Sequence, residues 1–219
     1  PPPIGRVMMH DDRAGPLRRF SHHAMGSIFE IYMAVDDASY GADAARECFE
    51  ELDRLEEELS RFIPDSDVSR INALTAGRKI RVGAATIDCL RLAATVHAET
   101  NGAFDVTIGA IMQVLSRARN GAAGQEEIAL ALEKTGMHLL EIDPRGNSVG
   151  VRREGVMVDL GGVGKGYALD QMAQILRDWS IPNAVLHSGQ SSALALGRPE
   201  GQAGWTLRLR DPLNEHKSI

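Results

Sequence analysis

Apolar and polar positions change period several times along the 219 residues of this chain, and the changes mark its elements. In HHAMGSIFEIYMAV, Phe29, Ile31, Met33 and Val35 recur at every second residue, the spacing of a strand with one buried face. From Ala44 to Phe62 the period lengthens. Cys48, Leu52, Leu55, Leu59 and Phe62 fall at steps of four and three, which places them on one stripe of a helix, with RLEEE on its outer face. Pro64 ends that helix, and Ser66 and Asp67 have cap character before a short helical turn. A second helix is predicted from Ala84 to Glu99, stopping at Asn101-Gly102, and a third in QEEIALALEKTG, stopping at Gly136. HLLEID and SVGVRREGVMVDL flank PRGN and predict a hairpin. A fourth helix, from Tyr167 to Trp179, precedes three more strands, NAVLHSG, SALALG and WTLRLRD. Helices mixed with antiparallel strand pairs predict an α+β fold. With no internal repeat or low-complexity linker, the expectation is one domain over 21–219 behind a loose, Pro-rich leader over 1–20.

Composition narrows the function classes more than the fold. Thirty acidic against 24 basic residues give a net charge of −6, with the two signs interleaved. Nonspecific nucleic-acid binding needs a basic surface that releases counterions, so nucleic acid is not an expected partner. The two cysteines, Cys48 and Cys89, sit on apolar helix faces without CxxC spacing and read as small buried hydrophobes. No apolar run is long enough to span a bilayer. The chain begins PPPIGRVMMHDDRAG, without Met or a basic-then-apolar signal, and is expected to start at a processed or trimmed boundary.

The chemistry concentrates in VDLGGVGKGYALD, Val158 to Asp170. Glycine lets backbone N–H groups turn inward on an anion, and a helix N-terminus adds its dipole. Lys165 is placed to add a point charge, and Asp170 falls near the first turn of the following helix. The spacing matches neither common phosphate fingerprint. A P-loop needs Ser or Thr where Gly166 stands, and Gly162, Gly164 and Gly166 give G-x-G-x-G rather than GxGxxG. From glycine content alone, a tight strand-to-helix turn with a solvated lysine is an equal reading. Phe104 taken alone is a core residue, and Asn72 taken alone is a helix cap.

Three further stretches shift that balance: MGS at Met25 to Ser27, LSRFIPDSDVSRIN with Ser60 and Asn72, and TNGAFDVT with Phe104, Asp105 and Thr107. Together with DLGGVGKGYALD, in this order, they resemble the FAD:protein FMN transferases, the ApbE family. Those proteins carry an M-G-T strand start, an L-S-x-[YF] segment leading to a serine and an asparagine, a T-x-G-A-F-D-x-T turn and a D-L-G-G-[IV]-x-K-G-x-x-x-D loop. The resemblance runs from about Ala24 to Pro212, and NAVLHSGQ echoes a following N-x-G-G strand.

The resemblance implies the T-fold-related architecture of that family and a reaction. FAD would be split at its pyrophosphate with Mg²⁺, FMN passing to a threonine of a target flavoprotein and AMP leaving. It implies that Phe104, Asp105 and Thr107 shape the adenine side of the site. Met25, Ser60 and Asn72 would line the FAD cleft, and Asp159, Gly162, Lys165 and Asp170 the pyrophosphate and ribityl region. Gly189 would lie on the pocket floor, and the main-chain carbonyl of Gly164, where relatives have Ala, would be a Mg²⁺ ligand. It also implies an exported, periplasmic or envelope-associated location, with membrane proximity through a removed leader or lipid anchor.

Two departures stand out. Gly189-Gln190-Ser191 replaces a G-G-D pattern, which removes a carboxylate. The family's later T/S-S-G, H-x-x-[DN]-P-x-T-G and D-[AG]-x-[AS]-T patterns, which would bring the Asp and Thr ligands of Mg²⁺ and the catalytic groups, do not occur in this sequence. His216 lies in a charged tail outside any such pattern. The sequence is therefore expected to be either a piece of a longer transferase or a flavin-binding relative without efficient turnover. A serine hydrolase built on His187-Ser188 is disfavoured, because neighbours on a strand point to opposite faces and no G-x-S-x-G elbow exists. The paired His22 and His23, the isolated His97 and His138, and His10 in the leader read as solvated or core-edge residues rather than metal ligands.

Overall fold

The computed structural model describes residues 17–118, 123–199, 201–207, 210–211 and 214–218. The alternation at the start resolves into two strands, β1 (Leu17–Ala24) and β2 (Ser27–Ala34), paired antiparallel through a two-residue turn. Met25 (φ 50°) and Gly26 (φ 65°) both lie in the left-handed region, as a type I′ hairpin turn requires. Met25 is costly there, because its Cβ crowds the carbonyl. Residues 17–20, placed in the leader by the sequence reading, pair with 31–34 in the sheet, and 1–16 lie outside the described residues.

The first helix, α1, spans Ala38–Leu59. It starts earlier than the apolar stripe because Asp37 caps it, accepting hydrogen bonds from the N–H groups of Ser39 and Tyr40. It stops at Leu59 because Ser60 turns extended, so Phe62 leaves the stripe and is 78% exposed. Ser66 caps α2 (Asp67–Asn72) as its sequence suggested. A short strand β3 (Lys79–Arg81) and α3 (Ala84–Glu99) follow, α3 with the expected bounds and the expected stop at left-handed Asn101 and Gly102.

Next come α4 (Gly109–Arg117), which the sequence pattern did not reveal, and α5 (Gln125–Leu132). The PRGN hairpin forms as predicted, from β4 (Leu140–Asp143) and β5 (Ser148–Val151). The fourth predicted helix is α6 (Gly164–Asp178), which begins three residues before Tyr167. It leads to β6 (Ala184–Ser188) and β7 (Ser192–Leu196). Of WTLRLRD, only Arg210–Asp211 is a strand among the described residues, β8, paired with β9 (Asn214–Ser218).

The order β1-β2-β6-β7 makes an antiparallel four-stranded sheet, and β3-β5-β4 a second antiparallel sheet. Phe29, Ile31 and Met33 from β2 and Ala184 and Leu186 from β6 face α1 and α6 in the main core. The α1 stripe contributes Cys48, Leu52 and Leu55, all fully buried. Each such leucine is worth about 1.5–3 kcal/mol of burial. Cys48 and Cys89 are buried free thiols, and burial pushes both up to about 12. Among the described residues no helix is long and apolar enough to cross a membrane.

Candidate functional site

Three chain segments meet around a cleft of about 440 Å³. The β1–β2 turn supplies Met25 and Gly26, and the end of α1 with the loop after it supplies Glu56, Leu59, Ser60, Arg61, Phe62 and Ile63. The glycine-rich turn and the first residues of α6 supply Asp159, Leu160, Gly161, Gly164 and Lys165. A backbone strained at Met25 therefore borders the cleft, as strained residues often do at functional sites.

The glycine turn is held from three directions. Asn72 donates from Nδ2 to the Val158 carbonyl at 3.0 Å and accepts the Val158 N–H on Oδ1 at 2.7 Å. The Asp159 N–H bonds the Val106 carbonyl at 2.7 Å. Behind the turn, Phe104 lies against Gly162 so closely that a Cβ there would meet its Cε2 at 2.9 Å, so any larger residue would have to displace the ring. The turn closes with the Gly164 N–H on the Leu160 carbonyl at 2.7 Å and passes directly into α6. No side chain caps that helix end, whose N–H groups and dipole favour an anion. Lys165, in the first turn, adds a cation at the cleft wall.

Across the cleft, Arg61 Nε pairs with Asp159 Oδ2 at 2.9 Å, and the guanidinium lies 4.3 Å from the centre of the Phe62 ring. Asp159 Oδ1 accepts the Gly161 N–H at 2.9 Å. Ser60 caps the end of α1, and its hydroxyl accepts the Phe62 N–H at 3.3 Å. Arg61 and Glu56 were not singled out from the sequence. A lone arginine between Ser60 and Phe62 reads as surface charge until the fold brings it to Asp159.

Of the expected site residues, Met25, Ser60, Asp159, Gly164 and Lys165 line this one cleft, and Gly162 shapes its turn. The other six take different places, Phe104 behind the turn against Gly162. Asn72 spends both ends of its amide on Val158 and positions the turn instead of facing a ligand. Asp105 accepts from the Thr107 N–H and hydroxyl and from the Met137 N–H. Thr107, fully buried, accepts the Gly136 N–H at 2.6 Å. These two tie the TNGAFDVT loop to the Gly136 turn, while His97 Nδ1 bonds the Phe104 carbonyl at 2.8 Å. Asp170 lies beyond the first turn of α6, exposed and outside the cleft lining. Gly189 (φ 53°) packs on Ser27 beside the β1–β2 turn, where a Cβ would meet Oγ at 2.5 Å.

Mg²⁺ prefers near-octahedral oxygen coordination. Gly164 is the first residue of α6 and lines the cleft. Among the described residues no group of three or more His, Cys, Asp or Glu could hold a metal. The two carboxylate oxygens of Asp159 are already taken by Arg61 and Gly161. The His187-Ser188 pair divides as strand geometry dictates. His187 Nε2 lies 2.8 Å from Glu30, whereas Ser188 is buried beside Ser191. A second depression of about 490 Å³ between α1 and α6 is lined by Glu47, Glu50, Glu51 and Asp178, the wrong sign for a phosphate ligand.

Residues 25–219 match the model of a family described as the ApbE family. The chain belongs to the ApbE family. Among ApbE relatives, the FAD:protein FMN transferase of Vibrio cholerae is 28% identical over 177 residues, covering 77% of this chain and 52% of the relative. The FAD:protein FMN transferase of Salmonella typhimurium is 24% identical over 201 residues, covering 89% and 57%. The chain thus spans little more than half the length of these relatives. The solved structure of the ApbE protein from Thermotoga maritima superimposes with a TM-score of 0.81 at 26% identity, over 91% of this chain and 65% of that one. The flavin transferase ApbE from Vibrio cholerae gives 0.80 at 22% identity, over 93% and 67%. The α+β architecture is that of the ApbE fold.

Proposed function

We propose that the cleft binds FAD and that the whole protein transfers its FMN half to a threonine of a target flavoprotein, releasing AMP. The observation that carries this reading is the cleft itself. An uncapped helix N-terminus, a glycine turn and Lys165 meet an apolar wall of Leu59, Ile63 and Met25, fitting a ligand with a charged centre and a flat apolar end.

In the reaction, the threonine oxygen attacks the phosphorus of the FMN half. The bond from that phosphorus to the bridging oxygen breaks, AMP leaves with the bridging oxygen, and the hydroxyl proton passes to solvent or a base. What these residues contribute is positioning and charge. Lys165 and the N–H groups at the start of α6 offset the negative charge of the diphosphate and of the departing AMP. Asn72 and Phe104 hold the turn so that its backbone meets the ligand without rearranging. Mg²⁺, which the family resemblance implies, would polarise phosphoryl oxygens when bound. Export and an acceptor at the cell envelope belong to the same proposal and rest on the resemblance alone.

A second reading is a module that holds FAD without turnover, since no cluster of three or more His, Cys, Asp or Glu suited to a metal occurs among the described residues. Incubation with FAD, Mg²⁺ and a threonine-bearing acceptor domain separates the two. AMP release with covalent flavin on the acceptor supports the transferase. Bound FAD with neither product supports the module, and no FAD binding contradicts both.

A further inference from the structure

We propose that Arg61 selects for the diphosphate in this cleft, and that Asp159 holds it ready by occupying the anion's place. The inference deepens the proposed function and rests on the cleft being the nucleotide site. The carboxylate of Asp159 is ion-paired with Arg61, Nε to Oδ2 at 2.9 Å, and accepts the Gly161 N–H of the glycine turn at 2.9 Å. A guanidinium facing backbone N–H groups is the donor set that recognises a phosphate. Asp159 acts as an internal stand-in for the ligand's anion.

Because the ion pair uses the inner nitrogen, the terminal amino groups of the fork keep donor capacity. The Phe62 ring under the guanidinium fixes its plane by cation–π attraction. Arg61 is also only about a quarter exposed, so its charge is less screened than one on open surface. Lys165 stands on the α6 wall and Arg61 on the wall formed by the loop after α1. A diphosphate entering between them exchanges for Asp159 and is held from both sides. A monophosphate or an uncharged flavin gains little from that exchange.

The test is calorimetric titration of the protein with inorganic pyrophosphate, ADP, FAD and riboflavin. Arg61→Ala should weaken pyrophosphate and ADP about tenfold and leave riboflavin unchanged. Arg61→Lys, which keeps the charge without the fork, should recover part of the loss. Asp159→Asn, which releases Arg61, should tighten ADP severalfold. Thermal unfolding of each variant checks that the fold is intact, and a loss of riboflavin equal to that of ADP would assign Arg61 a merely structural role and overturn the inference. So would unchanged ADP binding in Arg61→Ala, weaker ADP binding in Asp159→Asn, or a wild-type protein that binds neither pyrophosphate nor ADP. Arg61-dependent pyrophosphate binding with no FAD binding supports Arg61 as the diphosphate residue while refuting the flavin reading.

Discussion

Replacing Asn72 by alanine is the sharpest perturbation of the turn that leaves its own residues untouched. The amide bridges the end of α2 to Val158 with two hydrogen bonds, 3.0 and 2.7 Å long, and Val158 is fully buried. Alanine leaves a buried N–H and a buried carbonyl without partners, each costing about 1–3 kcal/mol. Asn72 itself is only partly buried, so water can recover some of that, and a total of about 2–4 kcal/mol is expected. With a urea m-value of about 2 kcal/mol/M, the unfolding midpoint should fall by about 1–2 M with m unchanged. Asn72→Asp is the control. It still accepts from the Val158 N–H but faces the carbonyl with another acceptor, so it should be nearly as destabilising. ADP binding should weaken in both variants, because Asp159 and Gly161 follow directly on the clamped residue. A loss under about 0.5 kcal/mol would refute the clamp, and weakened ADP binding alongside it would return Asn72 to the ligand.

Other perturbations read different parts of the site. Lys165→Ala should lower FAD affinity by about 1–3 kcal/mol through lost charge pairing, and equal affinity in titration would remove the α6 end from the anion site. Gly162→Ala should cost about 1–3 kcal/mol by driving a methyl against Phe104, and Phe104→Leu in the same chain should relieve it; additive losses in urea unfolding would contradict the contact. Burial holds Cys48 and Cys89 neutral up to about 12, whereas unfolded thiols ionise near about 8.5. The stability they confer is therefore complete below about pH 8.5 and declines as pH rises toward 12, by up to about 1.4 kcal/mol per unit per thiol. Urea midpoints from pH 7.5 to 10.5 should fall less steeply in a Cys48→Ala, Cys89→Ala double variant, and parallel slopes would show the thiols are not the cause.

Where local physics decides structure, the sequence was legible. The stripe of α1, the bounds of α3 and the PRGN hairpin follow from period, cap and turn residues, and each formed. The β1–β2 turn was hidden because alternation carries on through Met25 and Gly26, and nothing in a period-two pattern registers a two-residue reversal. α4 was hidden by brevity, since a nine-residue helix with only Gly109 and Ala110 buried makes no clear stripe. The glycine turn and Lys165 were readable as a cradle, whereas the work of Asn72, Asp105 and Thr107 was not. Their side chains bond backbone at Val158, Met137 and Gly136, partners that only the folded chain brings near. The same holds for Arg61, whose meaning lies in Asp159 and not in its neighbours.

Titration of the protein with FAD, ADP and FMN, each with and without Mg²⁺, tests the central claim most directly. The account predicts that FAD binds tightest and that ADP competes with it. FMN, which lacks the diphosphate, should bind more weakly, with the difference shrinking when Lys165 is removed. FMN binding as tightly as FAD, or FAD binding that ADP does not displace, would contradict a diphosphate site between α6 and the loop after α1.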